Sequence, residues 1–192
     1  MSTVKNKQKQ KRKEIIEKLG PMLATTSIDD FSVQELCKAA DISVGSFYHY
    51  FNQKDDLKIS YILLADEHIA DAVFPKMICD DEIENLRVFL MGFTEVIANI
   101  GVERSKITVE YGAVDYDLDG NLRPTLLKLR ETISAGQMKK QITSAYSVNE
   151  LAGIVYASFQ GIGIEWTRRN GDFDLIERMK NFCDIFLKGL KA

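Results

Sequence analysis

The residues of this chain best placed to do chemistry form one short run, Val44-Gly45-Ser46-Phe47-Tyr48-His49-Tyr50-Phe51, where hydroxyl and imidazole donors alternate with large rings. Wound as a helix, Phe47 and Phe51 stand four apart and share a buried face. Gly45, Ser46 and His49 then point outward, with Tyr48 and Tyr50 on the flanks. Donors of this kind suit phosphate oxygens and the edges of bases. A helical glycine costs roughly 1 kcal/mol relative to alanine, a loss that makes sense where another surface must approach the backbone closely. Lys54 adds an independent sign. It falls in the first turn of the next helix, where free N–H groups and the dipole already attract negative charge, so a cation belongs there once a phosphate stands in front of it. Plain surface packing accounts for each residue taken singly; the chemistry rests on the combination.

Other chemistry is poorly served. Cys37, Cys79 and Cys183 are odd in number and far apart, which suits neither a disulfide framework nor a zinc site and points to a reducing cytoplasm. Cys37 reads as a small core residue. His49 and His68 fall in different helices without neighbouring ligands, so no metal is expected. The run Asp115-Tyr116-Asp117-Leu118-Asp119-Gly120 opens like a calcium loop. Its twelfth position is Leu126 instead of a bidentate glutamate, and Arg123 and Pro124 intrude, so calcium is rejected. No glycine-rich phosphate loop or nucleophile elbow is present. The expectation is a protein that is not an enzyme and carries no cofactor.

The elements that must position these residues are helices. The 192 residues are 45% hydrophobic and 28% charged, as in an ordinary folded domain. No apolar run approaches the about 18 residues of a membrane span, and the basic start has no apolar stretch behind it to make a secretory signal. Charge is unevenly placed: residues 1–54 hold nine Lys/Arg against six Asp/Glu, a net of +3, and the remainder holds sixteen against twenty-two, a net of −6. Apolar spacing gives an all-α fold of about nine helices with no convincing strand. A first helix shows its face from Ile15 to Leu23 and is kinked or shortened by Pro21. Phe31-Ser32-Val33-Gln34-Glu35-Leu36 is a capping box with a hydrophobic staple and starts a helix ending near Asp41, where the chain must turn. Ser43 caps the short helix from Val44 to Tyr50. A fourth helix starts at Asn52 and stops at Pro75. Further helices are expected near 82–100, 103–112, 124–137, 147–169 and 174–190.

Two short helices joined by a tight turn make a helix-turn-helix, whose second member enters the major groove. The run SVQELCKAADISVGSFYHYFNQKDDL, Ser32 to Leu57, resembles the DNA-binding domain of the tetracycline-repressor (TetR) family, above all in Phe47-Tyr48-His49-Tyr50-Phe51 and Lys54-Asp55-Asp56-Leu57. The resemblance implies that Ser32, Tyr48, Tyr50 and Lys54 anchor phosphates while Ser46, Tyr48 and His49 lie nearest the bases; Ser43 and Gly45 complete the expected DNA-binding set. Asp41 stands where the family usually has glycine, and Gly20-Pro21 interrupts the first helix.

The chain divides into an expected DNA-binding domain, residues 1–53, and an effector-binding and dimerisation domain, residues 54–192. The helix opening at Ser147 repeats the capping box with Glu150 and carries apolar residues on more than one side, so it needs cover on more than one side. Gly153, Ala157, Gly161 and Ile164 there, with Met179, Phe182 and Phe186 on the last helix, form the expected dimer interface. Paired heads reading two half-sites favour a homodimer. An effector cavity is expected among Phe89, Phe93, Glu110, Tyr111, Phe159 and Trp166, although solid core explains the same rings. The leading reading is a ligand-responsive regulator, a repressor by preference, binding double-stranded pseudo-palindromic DNA as a homodimer, with an unknown small-molecule effector. The alternative is a dimeric protein-interaction module or small-molecule binder that does not bind an operator.

Overall fold

The computed structural model describes residues 2–23, 25–110 and 122–192. Among them are nine α-helices: α1 (Ser2–Leu23), α2 (Val33–Ala40), α3 (Val44–Tyr50), α4 (Asp55–Val73), α5 (Glu82–Ile100), α6 (Val102–Glu110), α7 (Pro124–Met138), α8 (Val148–Arg168) and α9 (Leu175–Gly189), with 3₁₀ turns at Ile28–Asp30 and Phe74–Lys76. The described residues form no β-strand; Ile142 and Lys191 meet in an isolated bridge that ties the loop after α7 to the end of the chain.

The boundaries follow local chemistry. Ser32 and Ser147 each close a full capping box: the serine hydroxyl accepts from the third helical N–H, and the glutamate there accepts the serine N–H. α2 ends in a left-handed residue, Asp41 at φ +55°, whose N–H returns to Cys37 and Lys38 carbonyls, while the Ile42 N–H also reaches the Cys37 carbonyl. Glycine is the natural occupant of such a site; aspartate is among the few side chains that tolerate it.

Three expectations change. α1 begins at Ser2, because a polar, Lys-rich turn holds a helix without showing an apolar stripe. Pro21 does not stop it: the proline sits in the last turn, where little helix remains to lose, and the Gly20 carbonyl accepts from Arg104 Nη2 at 2.9 Å. α4 begins at Asp55 and not Asn52, since Asp56 reaches back to accept the Asn52 N–H at 2.8 Å.

Two apolar cores divide the molecule. The head core gathers Ile15, Ile16 and Leu19 of α1, Leu36 and Cys37 of α2, Phe47 and Phe51, then Leu57 and Tyr61 of α4, with Ile107 of α6 joining from the body side. The body core begins at Ile69 and Val73 of the same α4 and continues through α5, α7, α8 and α9. One helix therefore belongs to both. It is pinned at mid-length by Asp66, which is fully buried and accepts from Arg123 Nε at 2.7 Å, Arg123 Nη2 at 2.8 Å and Thr125 Oγ1 at 3.0 Å. Lys9 and Lys13 of α1 both reach Glu67 beside it.

Candidate nucleic-acid interface

α2 and α3 meet through the turn Asp41–Ser43, and α3 shows the two-sided character its sequence requires. Phe47 and Phe51 are 1% exposed and pack against each other with ring centroids 5.2 Å apart. The opposite side presents exposed Gly45 and His49, half-exposed Ser46, and Tyr48 at 54% exposure. Tyr48 leans edge-on against Phe47 at 5.3 Å, and His49 against Tyr50 at 4.9 Å, so the rings have defined places at the surface. Apart from its own helix and chain neighbours, a side chain at Gly45 would meet only the Ser43 hydroxyl among the described residues, at 3.8 Å, which leaves room for a close approach.

The serines are partly committed. Ser43 Oγ accepts the Ser46 N–H at 3.0 Å and shares a hydrogen bond with Ser46 Oγ at 2.9 Å. Ser32 Oγ donates to Glu35 Oε2 at 2.7 Å inside the capping box. The Ser32 N–H and hydroxyl bonded to the Glu35 carboxylate hold it below the ordinary glutamate range.

Lys54 is placed differently from the simple expectation. It is the N-cap of α4, and its ammonium donates to the carbonyls of Asp29 at 2.8 Å and Phe31 at 2.6 Å. It thus straps the start of α4 to the residue just before the Ser32 cap, spending two of its three donors and keeping one for an anion. Two positioning residues were missed in the sequence: Arg12 Nε donates to the Tyr50 carbonyl at 3.0 Å, and Lys18 Nζ to the Ala40 carbonyl at 3.1 Å. Each cation satisfies a carbonyl at a helix C-terminus, where the dipole favours it. Partners 38 and 22 residues away leave no local signal. Lys58, 2% exposed, joins Asp29 and Asp55.

The residues expected to line an effector cavity separate. Phe93 and Phe159 do line one, with ring centroids 4.6 Å apart; Ile97, Val109, Gly163 and Met179 wall it in. Its volume is about 20 Å³, room for about one water. Phe89 is solid core away from it, and Trp166 instead donates its indole N–H to the Phe173 carbonyl at 3.1 Å. The Glu110 side chain, Tyr111 and the acidic run up to residue 121 lie outside the described residues.

Of the expected dimer residues, Met179 is a correction: at 1% exposure it points into the body core, because the α9 stripe has an inner edge of Leu175, Met179, Cys183 and Leu187. The others stay outside. Gly153, Ala157 and Gly161 are exposed, with open space beyond both glycines, Ile164 is half-buried, and Phe182 and Phe186 stack at 4.8 Å. Ile154 at 48% and Ile185 at 77% exposure extend that face. A Glu165–Arg178 ion pair at 3.0 Å joins the two outer stripes into one surface. Burial pushes the Cys183 thiol up to about 11 and raises Cys37, so both are inert core residues. No cluster of three or more metal-ligating side chains occurs among the described residues, and no described helix is long and apolar enough to cross a membrane.

Residues 22–59 match the family model described as bacterial regulatory proteins, tetR family. No curated protein matches by sequence. Among solved structures, the chain is similar to the fatty acid degradation regulator FadR from Bacillus halodurans, with 20% identity, a TM-score of 0.68 and coverage of 94% of this chain and 96% of that one. It is similar to FadR from Bacillus subtilis in complex with stearoyl-CoA, with 16% identity, a TM-score of 0.71 and coverage of 92% and 98%. It is also similar to the TetR family transcriptional regulator PfmR from Thermus thermophilus, with 19% identity, a TM-score of 0.60 and coverage of 93% and 99%. At these identities the structural likeness establishes the shared fold, head and body together.

Proposed function

We propose that this chain, whose residues 22–59 match the tetR family model, is a DNA-binding transcription regulator of that kind, and more closely a ligand-responsive repressor that binds a pseudo-palindromic operator as a homodimer. The observation that carries the reading is the outward row Gly45, Ser46, Tyr48 and His49 on a helix locked from behind by Phe47 and Phe51. In this reading Ser46, Tyr48 and His49 meet base edges, while Ser32, Ser43, Tyr50 and the third donor of Lys54 meet phosphates. The working division is residues 1–53 for DNA and 54–192 for effector and dimer, with α4 as the strut between them.

Dimerisation is supported by the uncovered face of α8 and α9, where Ile154, Phe182, Ile185 and Phe186 surround small residues that let a second copy come close. Two copies joined there form a four-helix bundle and carry two copies of α3, as an inverted repeat requires. The effector reading rests on the cavity between Phe93 and Phe159. Its walls are almost wholly apolar, so the effector is an apolar molecule, and a similar protein seen with stearoyl-CoA makes an acyl chain the first candidate. With room for only about 20 Å³, the pocket takes an acyl chain only if the two rings part; a ligand that favours the parted state shifts the heads only through its differential affinity.

The test is selection of bound duplexes from a random pool with purified full-length protein. The expected result is an inverted repeat whose halves are about one DNA turn apart centre to centre. Enrichment of no sequence would overturn the operator reading and favour a dimeric interaction module on the same fold.

A further inference from the structure

We propose that the cleft where head meets body is a binding site for a small organic monoanion, separate from the apolar cavity of the body. The cleft holds about 250 Å³ and lies where α1, α4, α5 and α6 converge, roughly eight water volumes and enough for an aromatic or branched carboxylate. Most of its wall is apolar: Ile16 of α1, Leu64 and Ala65 of α4, Val96 and Ile100 of α5.

The polar wall residues are few: Arg104, Tyr61, Glu17 and His68. Arg104 lines the cleft and donates Nη2 to the Gly20 carbonyl at 2.9 Å. Its Nε is shut off from solvent and has no hydrogen-bond partner among the described residues. No carboxylate among the described residues pairs with this guanidinium, in contrast to the ion-paired Arg87, Arg123, Arg169 and Arg178. Tyr61, the second polar wall residue, is 9% exposed. Burial pushes its hydroxyl up while the Arg104 charge pulls it down, so it is a neutral donor within reach of that cation's field. Glu17 and His68, both exposed, complete the lining.

This set selects its occupant. A permanent cation that lines a mostly apolar cleft, and that no carboxylate among the described residues pairs with, favours an occupant that brings negative charge. The Glu17 carboxylate repels a second negative charge, which disfavours a dianion. An uncharged molecule leaves Arg104 unmet, and an inorganic anion leaves the apolar wall wet. A carboxylate with a compact apolar body answers both. Such an occupant touches α1 of the head and α5 and α6 of the body at once, which the body cavity does not allow.

The test is a calorimetric titration of the full chain with benzoate and 3-methylbutanoate, against benzyl alcohol and inorganic phosphate. Expected is saturable binding of at least one carboxylate, at least tenfold tighter than either comparator. Arg104→Gln weakens it at least tenfold, and Ala65→Phe, which fills the cleft, removes it, both variants keeping the wild-type helical signal. The alcohol comparison needs no variant, so the test stands if Arg104→Gln does not fold. No saturable binding of either carboxylate, equal binding of benzyl alcohol, or undiminished binding in Ala65→Phe would overturn the proposal.

Discussion

In the head, helices of eight and seven residues are held by side chains that reach across to backbone ends: Lys18 to Ala40, Arg12 to Tyr50, Lys54 to Asp29 and Phe31. In the body, helices of nineteen and twenty-one residues are held by interleaved rings such as Phe89, Phe93 and Phe159, with the strongest polar tie gathered at Asp66 and Arg123. Helices as short as α2 and α3 are marginal alone, so every strap on a carbonyl counts, and together they present Tyr48 and His49 in fixed positions. Rings packed by dispersion are held by many small contacts instead of a few directional ties. In the proposed reading, the strapped head is the part that meets DNA and the ring-packed body the part that takes an effector.

The largest blow to that division falls on the helix both regions share. Arg123→Leu leaves the Asp66 carboxylate buried without its cation, which costs about 3–5 kcal/mol, and urea denaturation should show one transition moved to lower denaturant for head and body together. Separate transitions would mean that α4 does not couple them. Next, Ile185→Glu places a charge on the uncovered α9 face; sedimentation should move from dimer to monomer while the helical signal stays, and operator affinity should fall at least tenfold. A smaller gain comes from Asp41→Gly, which removes the left-handed strain at φ +55° and raises stability by about 0.5 kcal/mol, read as a higher melting temperature.

The smallest effect compares one motif in both regions. Glu35 and Glu150 each lie below the ordinary value of 4.5, the first through the Ser32 backbone N–H and then its hydroxyl, the second through the Ser147 hydroxyl and then its backbone N–H. A depressed carboxylate stabilises the fold above its unfolded value, and that contribution is lost as pH falls below 4.5 through the lowered folded value. Both caps weaken together, but the eight-residue α2 depends on its cap far more than the 21-residue α8. Amide exchange at acid pH should therefore loosen α2 first.

Much of this was legible locally. The capping boxes, the α3 face, the turn at Asp41 and the span of α5 follow from residues within a few positions of each other. The polar first half of α1 was missed because a solvated helix has no apolar period to show. The Lys54 strap, the Asp66–Arg123 pair and the junction cleft join residues 23 or more apart, and spacing carries no information across such loops. Met179 failed for another reason: an apolar stripe does not say which of its edges faces the same chain and which faces a second copy.

The central claim, that the α3 face reads DNA, is tested most directly by anisotropy titration of the selected duplex at several salt concentrations, with wild type and Tyr48→Ala side by side. Tyr48 is 54% exposed, so its loss should leave the melting temperature unchanged while binding weakens by about tenfold or more, with wild-type affinity falling steeply as salt rises. Equal affinity of Tyr48→Ala and wild type at every salt concentration would contradict the account.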